Sequence, residues 1–479
     1  MSEIRPTLEA RNPRTGEMDY RFVADDPHEA ASTLRSAQAD WEASGLAGRA
    51  DALGRLADAI IAGRGAIVEA LSEDTGRVRI SEAEVDGVVG LIRGWCAQVP
   101  MLRAALEADA AWTPGRARPG MKHRVSHVPY PVVGVISPWN FPVTLSFIDT
   151  IPALLAGCTV MVKPSEVTPR FVEPMRAAVA AAGLQDVLRF VRGAGSTGAQ
   201  LVAASDCICF TGSVATGRKV AMAAAECLIP ANLELGGKDP MIVLPGADMA
   251  EAARIALRAS VLATGQACQS IERVLVPTTA VEGFVATLAR MAEAVPLNIL
   301  DEVPGGIGPF IFAEQAETVA AQVNAAVRDG ATLHTGGEVE RHNDGGSGGG
   351  HWMRPTVLSG VRPDMAIMRE ETFGPVIPVI GYKDLDEAVE IANGTEFGLS
   401  AAVFGPDIET CEAVAARLEA GAISLMDAAL TNQYFEAPKQ SFKASGLGGS
   451  RMGLEGFHRF LRKRALIANT DRPLGLEAW

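Results

Sequence analysis

The sequence has little cysteine, and what it has is not arranged for disulfides. Seven cysteines are scattered through 479 residues, and no two of them form a Cys-x-x-Cys pair. This pattern argues against a disulfide framework and favours reduced thiols in the cytoplasm. Cys207 and Cys209 stand two apart in an apolar run without a nearby histidine, which favours one face of a buried strand over a metal pair.

The chain also lacks long apolar runs and an excess of basic residues. No run reaches the roughly 18 residues of a membrane span. The N-terminus has no apolar segment typical of a signal peptide. Lysine and arginine number 43 against 57 aspartates and glutamates, for a net charge of −14. An acidic surface argues against nucleic acid and anionic membranes, so we expect neither as a partner.

Short strands alternate with helices over most of the chain. A length of 479 residues predicts two or three packed units, and residues 27–110 are alanine-rich with helical periodicity. Strands separated by helices predict parallel βαβ units and an α/β fold. The predicted strands are Val132–Ser137, Thr159–Lys163, Val187–Val191, Cys207–Phe210, Met241–Leu244, Arg273–Val276, Val376–Gly381, Ala401–Phe404 and Ala422–Leu425. The glycine-rich residues 342–350 predict a flexible hairpin tip.

Three segments carry side chains suited to covalent chemistry on a carbonyl group. Cys268 ends Gly-Gln-Ala-Cys, Glu234 precedes Leu-Gly-Gly-Lys, and Asn140 lies in Pro-Trp-Asn-Phe-Pro. A thiolate can attack the carbonyl carbon, an amide can stabilise the oxyanion, and a carboxylate can activate the water that releases the acid. The alternative for Cys268 is an inert buried thiol, the ordinary state of free cysteine.

In combination, order and spacing, these segments resemble the aldehyde dehydrogenase superfamily, in particular its NAD-dependent, non-acylating members. The resemblance runs from Asn-Pro-Arg-Thr-Gly-Glu at 12–17 to Ser-Gly-Leu-Gly at 445–448. It implies two Rossmann-like doubly wound domains and a small bridging sheet. We expect an NAD-binding domain at 1–110 and 130–236, a catalytic domain at 237–438, and bridging or oligomerisation segments at 111–129 and 439–479.

A turn at the start of a predicted helix is the candidate nucleotide site. Residues 210–217 read Phe-Thr-Gly-Ser-Val-Ala-Thr-Gly and follow a strand, although the common Gly-x-Gly-x-x-Gly pattern is absent. By resemblance, Lys163 and Glu166 bind the adenine ribose, and a carboxylate there repels a 2′-phosphate, which favours NAD over NADP. The residues expected to bind NAD are Trp139, Lys163, Ser165, Glu166, Gly195, Thr211, Gly212, Ser213, Thr216, Leu235, Glu371 and Phe373.

The sequence does not identify the aldehyde. By resemblance, the substrate pocket contains Phe147, Ile148, Gln269, Tyr434 and Phe435, and the aromatic rings hint at a bulky substrate. The alternative for the rings is plain core packing. Gln269 and the Gln-Ser at 440–441 depart from the family pattern beside the aldehyde entrance, which weakens any analogy with known substrates.

Two charges depart from the family pattern with both signs exchanged. Asp149 stands where many members have a lysine, and Arg462 stands where many have a glutamate. A double exchange restores attraction in a partly buried place, so we expect Asp149 and Arg462 to pair near Glu234. The alternative is a slip in register near Gly449, which would leave Arg462 as a surface cation.

These interpretations predict NAD-dependent oxidation of a small-molecule aldehyde to its carboxylic acid. The path is a thiohemiacetal and then a thioester on Cys268, hydrolysed by water that Glu234 activates. The alternatives are a CoA-acylating or NADP-preferring relative and a non-catalytic homologue. We expect no metal. The apolar strand near residues 464–469 predicts pairing across a subunit boundary, and hence a homodimer or homotetramer.

Overall fold

The structure, a computed structural model, describes residues 5–299, 302–342 and 349–475. The strands are β1 (Thr7–Arg11), β2 (Met18–Val23), β3 (Thr113–Pro114), β4 (Met121–Pro129), β5 (Val132–Ile136), β6 (Thr159–Lys163), β7 (Leu188–Phe190), β8 (Cys207–Thr211), β9 (Ala231–Glu234), β10 (Asp239–Val243), β11 (Ile271–Pro277), β12 (Thr332–Thr335), β13 (Val339–His342), β14 (Gly350–Met353), β15 (Thr356–Ser359), β16 (Val376–Tyr382), β17 (Phe397–Gly398), β18 (Ser400–Phe404), β19 (Ala422–Leu425), β20 (Phe442–Lys443), β21 (Gly446–Leu447) and β22 (Leu461–Asn469).

The α-helices begin and end as follows: α1 (Pro27–Ala43), α2 (Gly45–Ala62), α3 (Arg64–Thr75), α4 (Val78–Ala97), α5 (Val99–Ala110), α6 (Pro142–Ala156), α7 (Val172–Ala181), α8 (Gly195–Ala204), α9 (Val214–Glu226), α10 (Met249–Val261), α11 (Val281–Glu293), α12 (Ala313–Arg328), α13 (Ala366–Arg369), α14 (Leu385–Asn393), α15 (Ile408–Ala415) and α16 (Glu455–His458). Helix α1 starts where Asp26 accepts hydrogen bonds from two backbone N–H groups, with Pro27 in the first turn.

The first large sheet has six strands in the order β21-β9-β8-β5-β6-β7, and all are parallel except β21, which runs antiparallel to β9. The chain enters at β5, adds β6 and β7 on one side, and then adds β8 and β9 on the other. Such a reversal opens a crevice at the carboxyl ends of the two strands that flank it, here β5 and β8. Ligands of doubly wound sheets bind in that crevice.

The second large sheet has seven strands in the order β12-β15-β16-β11-β10-β18-β19, and only β12 is antiparallel to its neighbour. Its strand order reverses in the same way around β10. The predicted hairpin at residues 342–350 is present, since β13 and β14 pair with His342 opposite Gly350. The glycine-rich tip itself, residues 343–348, lies outside the described residues.

A third, antiparallel sheet has the order β22-β4-β3 and comes from the segments predicted to bridge subunits. Strand β22 pairs with β4 along its whole length, from Leu461 opposite Pro129 to Asn469 opposite Met121. Because β22 stands at the end of the order, its outer edge has no partner strand within the described part of the chain. The side chain of Ile467 on this strand is 72% exposed. The pairing of this edge with a second subunit stays a prediction.

Helix α6 packs between the first sheet and the N-terminal helices, and most of its side chains are buried. It ends at Gly157, whose φ of +104° is in the left-handed region that favours glycine. The α/β class with two doubly wound sheets is confirmed, and the predicted strand ends lie within two residues of the observed ones. Among the described residues, no helix is long and apolar enough to cross a membrane.

Candidate active site

The nucleophile loop has an unusual backbone just before Cys268. Ala263 and Thr264 have φ of +56° and +61°, a left-handed conformation that is costly for residues with a Cβ. The buried hydroxyl of Thr264 donates to the carbonyl of Gly308 at 2.9 Å. Gly265 follows with a φ of +70°, and a Cβ there would collide with the carbonyl of Gly374. The surrounding structure therefore imposes the path that leads to Cys268.

Gln266 joins the nucleophile loop to the loop of Asn140. Its side chain is fully buried, donates to the carbonyl of Pro309 at 3.3 Å, and accepts from the backbone of Ile311 at 3.0 Å. The Asn140 amide donates to the backbone carbonyl of Gln266 at 3.0 Å. The amide of Asn140, the predicted oxyanion donor, is thus bound to the nucleophile loop two positions before Cys268.

Arg77 contacts the same two loops, and the sequence analysis did not find it. The guanidinium is 1% exposed and donates to the backbone carbonyl of Asn140 and, at 3.5 Å, to that of Ala263. Burial lowers the pKa of Arg77 to about 10, so the side chain is cationic at neutral pH. Nothing in its helical surroundings in the sequence distinguishes it from an exposed arginine.

The turn after Glu234 lies directly against the nucleophile. Glu234 ends β9, and after Leu235 the chain continues with Gly236 and Gly237, which have no room for side chains. A Cβ on Gly237 would stand 2.7 Å from the Cys268 carbonyl oxygen, and one on Gly236 would stand 2.7 Å from a carboxylate oxygen of Glu371. The glycine pair therefore permits the approach that brings the base strand, the nucleophile loop and the Glu371 loop together.

The carboxylate of Glu234 is buried and accepts two hydrogen bonds on one oxygen. Lys439 donates from 3.0 Å and Ser441 donates from 2.7 Å, both to Oε2. Burial acts to raise the pKa of Glu234, but the charges of Lys439 and Arg451 and the two hydrogen bonds outweigh it and lower the pKa. Glu234 is therefore ionised at neutral pH. Lys439 and Ser441 lie in the segment whose Gln-Ser pair departs from the family pattern.

Cys268 keeps partial exposure to solvent, as a nucleophile requires. Burial raises the pKa of the Cys268 thiol to about 12. The charge of Lys439 acts in the opposite direction, whereas the carboxylates of Asp239, Glu371 and Glu234 raise the pKa further. The thiol is mainly protonated in this state, so its activation depends on the charges that face it.

The expected pairing of Asp149 with Arg462 is wrong, because other arginines are the partners of Asp149. Asp149 is 1% exposed and forms ion pairs with Arg451, at 2.6 Å, and with Arg459. Arg462 instead donates to the carbonyl of Pro129 at 2.9 Å. The reason is the path of the chain: residues 449–460 fold back over α6, and β22 then carries Arg462 away beside β4.

The sequence left open a slip in register near Gly449, and this open alternative was the warning that Arg462 could be the wrong partner for Asp149. Asp149 does have positively charged partners, as the exchange of both signs required. They are Arg451 and Arg459, which lie 11 and 3 positions before Arg462. Arg451 also donates to the hydroxyl of Thr211 at 2.7 Å. The guanidinium thereby links α6 to the end of β8.

A cleft of about 550 Å³ lies at the carboxyl ends of β5, β6 and β8, where the sheet reverses. Its volume is that of a typical small-molecule site. Nine of the twelve residues expected to bind NAD line it: Trp139, Lys163, Ser165, Glu166, Gly195, Thr211, Gly212, Ser213 and Thr216. The lining also includes residues that the sequence did not predict, among them Gly198, Lys219 and Ala223.

Two features of the cleft fit a dinucleotide. At one end, Ser213 caps α9, so the backbone N–H groups of the first turn face the cleft and suit a phosphate. At the other end, Lys163 is buried and contacts the half-exposed Glu166 at 3.1 Å. A carboxylate paired with a lysine suits ribose hydroxyls.

The other three expected cofactor residues lie outside the lining of this cleft. Leu235 packs against Gly217 of α9. Phe373 meets the Trp139 ring edge-on at 5.4 Å, which connects its loop to the cleft. Burial, with the charge of Glu272, raises the pKa of Glu371 to about 8. Glu272 also accepts hydrogen bonds from the backbone of Phe373 and its neighbour at 2.8 Å, so it holds this loop in place.

The expected substrate residues divide into three groups. Gln269 is buried and accepts a hydrogen bond from Thr431, so it ties the nucleophile loop to the loop at 427–435. Phe147 is fully buried and packs against Phe190 in the core, which favours the core-packing alternative for its ring. Ile148 is 4% exposed. Tyr434 is 56% exposed, and Phe435 beside it is partly exposed.

Comparison with known proteins gives matches over nearly the whole chain. The model of the "Aldehyde dehydrogenase family" matches residues 2–466. A Mycolicibacterium smegmatis protein named "Putative succinate-semialdehyde dehydrogenase (NADP+)" is 36% identical over 463 residues, which are 95% of this chain and 87% of that one. The structure of "Putative Aldehyde Dehydrogenase PutA" from Anabaena variabilis is 46% identical with a TM-score of 0.92, and the match covers 98% of this chain and 99% of that one.

A third match was solved with its cofactor. The structure of betaine aldehyde dehydrogenase from Staphylococcus aureus, in complex with NAD+, is 27% identical with a TM-score of 0.87. The match covers 98% of this chain and 93% of that one. The likeness therefore extends to sequence and fold together, with relatives whose names include different aldehydes and both nicotinamide cofactors.

Proposed function

The chain belongs to the aldehyde dehydrogenase family, and we propose that it oxidises an aldehyde to the carboxylic acid with NAD and water. One observation carries the proposal. The loops of Asn140, Glu234 and Cys268 come from three distant parts of the chain and are in direct contact, through Gln266 and through Gly237. A thiol, an amide donor and an ionised carboxylate at one place are the groups that such a reaction requires.

Each residue has a role that follows from its surroundings. Cys268, as the thiolate, adds to the aldehyde carbon, and the Asn140 amide stabilises the oxyanion that forms. Removal of one such donor typically costs a factor of about 10² to 10³ in kcat. The chemistry that bound NAD supplies is acceptance of a hydride, which leaves an acyl group on Cys268. Glu234 then takes a proton from the water that adds to the thioester.

The preference for NAD rests on Glu166. Its carboxylate lines the cleft beside Lys163, and a negative charge at that place repels the 2′-phosphate of NADP. The name of the M. smegmatis relative points to NADP, whereas the S. aureus relative was solved with NAD+. Lys163 alone would attract a phosphate, but in this chain Glu166 neutralises it.

Water is the proposed acyl acceptor because Glu234 is present and ionised. An acylating enzyme passes the acyl group to CoA and has no use for a carboxylate that activates water. The CoA-acylating reading is therefore the weaker alternative. A non-catalytic homologue is weaker still, since all three reactive side chains are present and their loops are assembled.

The test is an assay of NADH or NADPH formation on a panel of aldehydes, with and without CoA. The names of the relatives suggest succinate semialdehyde and betaine aldehyde for the panel, and the exposed Tyr434 suggests adding an aromatic aldehyde. We expect NADH and free acid without CoA. A strict requirement for CoA, or a higher kcat/KM with NADP, would contradict the corresponding part of the proposal.

A further inference from the structure

Lys439 is a buried cation in contact with the base. Its side chain is 5% exposed, and its ammonium lies 3.0 Å from Glu234 Oε2 and 3.3 Å from the hydroxyl of Ser441. The backbone N–H of Lys439 donates to the hydroxyl of Ser450 at 3.0 Å, which fixes the chain at this residue. A buried ammonium requires an anion beside it, and the carboxylate of Glu234 lies there.

The charges that face the site come from several elements. Lys439 and Arg451 face Glu234, and Arg451 is also held by Asp149. The charge of Lys439 acts to lower the pKa of the Cys268 thiol, whereas three carboxyl groups act to raise it, which are Asp239 on β10, Glu371 on the loop before β16 and Glu234 on β9. Lys439 is thus the positive charge that opposes three acidic groups around the nucleophile.

We propose that Lys439 is a positioning residue of this reaction, which holds Glu234 as an ionised base and favours the thiolate form of Cys268. The proposal rests on the proposed function in that Glu234 is taken as the base and Cys268 as the nucleophile. One carboxylate oxygen of Glu234 is occupied by Lys439 and Ser441, which leaves Oε1 to accept the proton of water.

The ammonium also stabilises the group that leaves in hydrolysis. The oxygen of water adds to the thioester carbon, its proton passes to Glu234, and the carbon–sulfur bond then breaks with the electron pair on sulfur. The departing Cys268 thiolate is a better leaving group when a cation faces it. Lys439 is therefore placed to assist both the first attack by Cys268 and its later release.

The first test measures the thiolate directly and needs no aldehyde. Cys268 is alkylated with iodoacetamide between pH 6 and pH 10, and its peptide is followed by mass spectrometry so that the exposed Cys227 does not interfere. Because the pKa of Cys268 lies above this range, the alkylation rate follows its small thiolate fraction, and in Lys439→Met we expect the rate to fall about tenfold at each pH. Lys439→Arg restores the charge and most of the rate.

A matched control comes from the same segment. Lys443 lies four residues on and donates to the carbonyl of Asn393 at 2.7 Å, with Glu419 as its ionic partner. Lys443→Met removes a cation bound elsewhere, and we expect an unchanged alkylation rate of Cys268. An unchanged rate in Lys439→Met would overturn the proposal.

A second pair of variants is needed in case Lys439→Met fails to fold, because this change leaves the buried Glu234 without its lysine partner. Glu234→Gln is compared with the double variant Glu234→Gln, Lys439→Met, in which no carboxylate is stranded. The alkylation rate of Cys268 must again be lower without Lys439. Equal rates in these two proteins would contradict an effect of Lys439 on the thiol.

Steady-state kinetics distinguish a failure of this proposal from a failure of the proposed function. With an accepted aldehyde, Lys439→Met should lower the steady-state kcat about tenfold or more and displace the pH–rate profile, and Lys439→Arg should recover much of it. If wild-type protein oxidises no aldehyde, the proposed function fails, while the alkylation rates still decide whether Lys439 acts on the Cys268 thiol. If kcat and its pH profile are unchanged in Lys439→Met, the role in hydrolysis is wrong.

Discussion

Arg451 and Asp149 form a buried ion pair at 2.6 Å, and the same guanidinium donates to the hydroxyl of Thr211 at 2.7 Å. Asp149 lies on α6, and Thr211 ends β8 and lines the cleft. One cation therefore links α6 to the strand end beside the cleft. Arg459 completes the cluster as a second partner of Asp149.

The cluster should respond strongly to loss of its one anion. Asp149→Asn leaves two buried guanidiniums without a carboxylate, so we expect the free energy of unfolding to fall by about 3–5 kcal/mol. In a double-mutant cycle measured by urea unfolding, Arg451→Met should couple to Asp149→Asn, whereas the control Arg462→Met should add within about 0.5 kcal/mol. Strong coupling between Asp149→Asn and Arg462→Met would show instead that Asp149 pairs with Arg462.

The carboxylate of Asp149 also predicts how the stability of the fold depends on pH. Burial acts to raise the pKa of Asp149, but Arg451 and Arg459 outweigh it, so the folded pKa is below the value in the unfolded chain, about 3.9. Its contribution is therefore complete above about pH 5 and is lost as pH falls through the folded pKa. Thermal midpoints of wild type and Asp149→Asn should converge as pH is lowered from 7 to 3. A constant difference would show that the charge of Asp149 does not stabilise the fold.

The base and the nucleophile act at different stages, so their variants should differ in kinetics. Cys268→Ala should give no NADH, while its affinity for NAD should stay close to that of wild type. Glu234→Gln should still release one equivalent of NADH in a burst, because acylation precedes hydrolysis, and its steady turnover should fall by a factor of about 10² or more. Stopped-flow absorbance at 340 nm distinguishes the two. Normal steady turnover in Glu234→Gln would remove Glu234 from the reaction.

Glu166 should set the cofactor preference. Glu166→Gln removes the charge that repels a 2′-phosphate and frees Lys163 to attract one, so we expect the ratio of kcat/KM for NADP to that for NAD to rise about tenfold. Glu226→Gln, at the exposed far end of α9, is a matched control that should leave the ratio unchanged. A wild-type preference for NADP would refute the charge argument before any variant is made.

The outer edge of β22 should pair with a second copy of the chain. We expect a homodimer or homotetramer, because a nine-residue strand with one free edge and an exposed Ile467 is otherwise prone to aggregation. Ile467→Lys should shift the sedimentation coefficient toward the monomer, whereas Lys463→Gln on the same strand should not. A monomeric wild type in sedimentation velocity would be the contrary result.

The sequence predicted those features that depend on local pattern. Alternation of apolar runs with helices was enough for the parallel strands, since a buried strand between two helices is recognisable within a few residues. The reactive segments were recognisable for a similar reason. Glu234 precedes a glycine pair and Cys268 follows Gly265, and in each case the structure has no room for a Cβ on a glycine of the turn.

Tertiary structure decided which side chains meet. Asp149 and Arg451 are 302 residues apart, and Lys439 is 205 residues from Glu234, so each pair depends on the path of the C-terminal loops. A shift of a few residues in that path replaces one cation by another, and no local pattern reports it. The same holds for Phe147, whose side of α6 faces the core. Local chemistry follows from the order of residues, whereas partners across the fold follow from how distant segments pack.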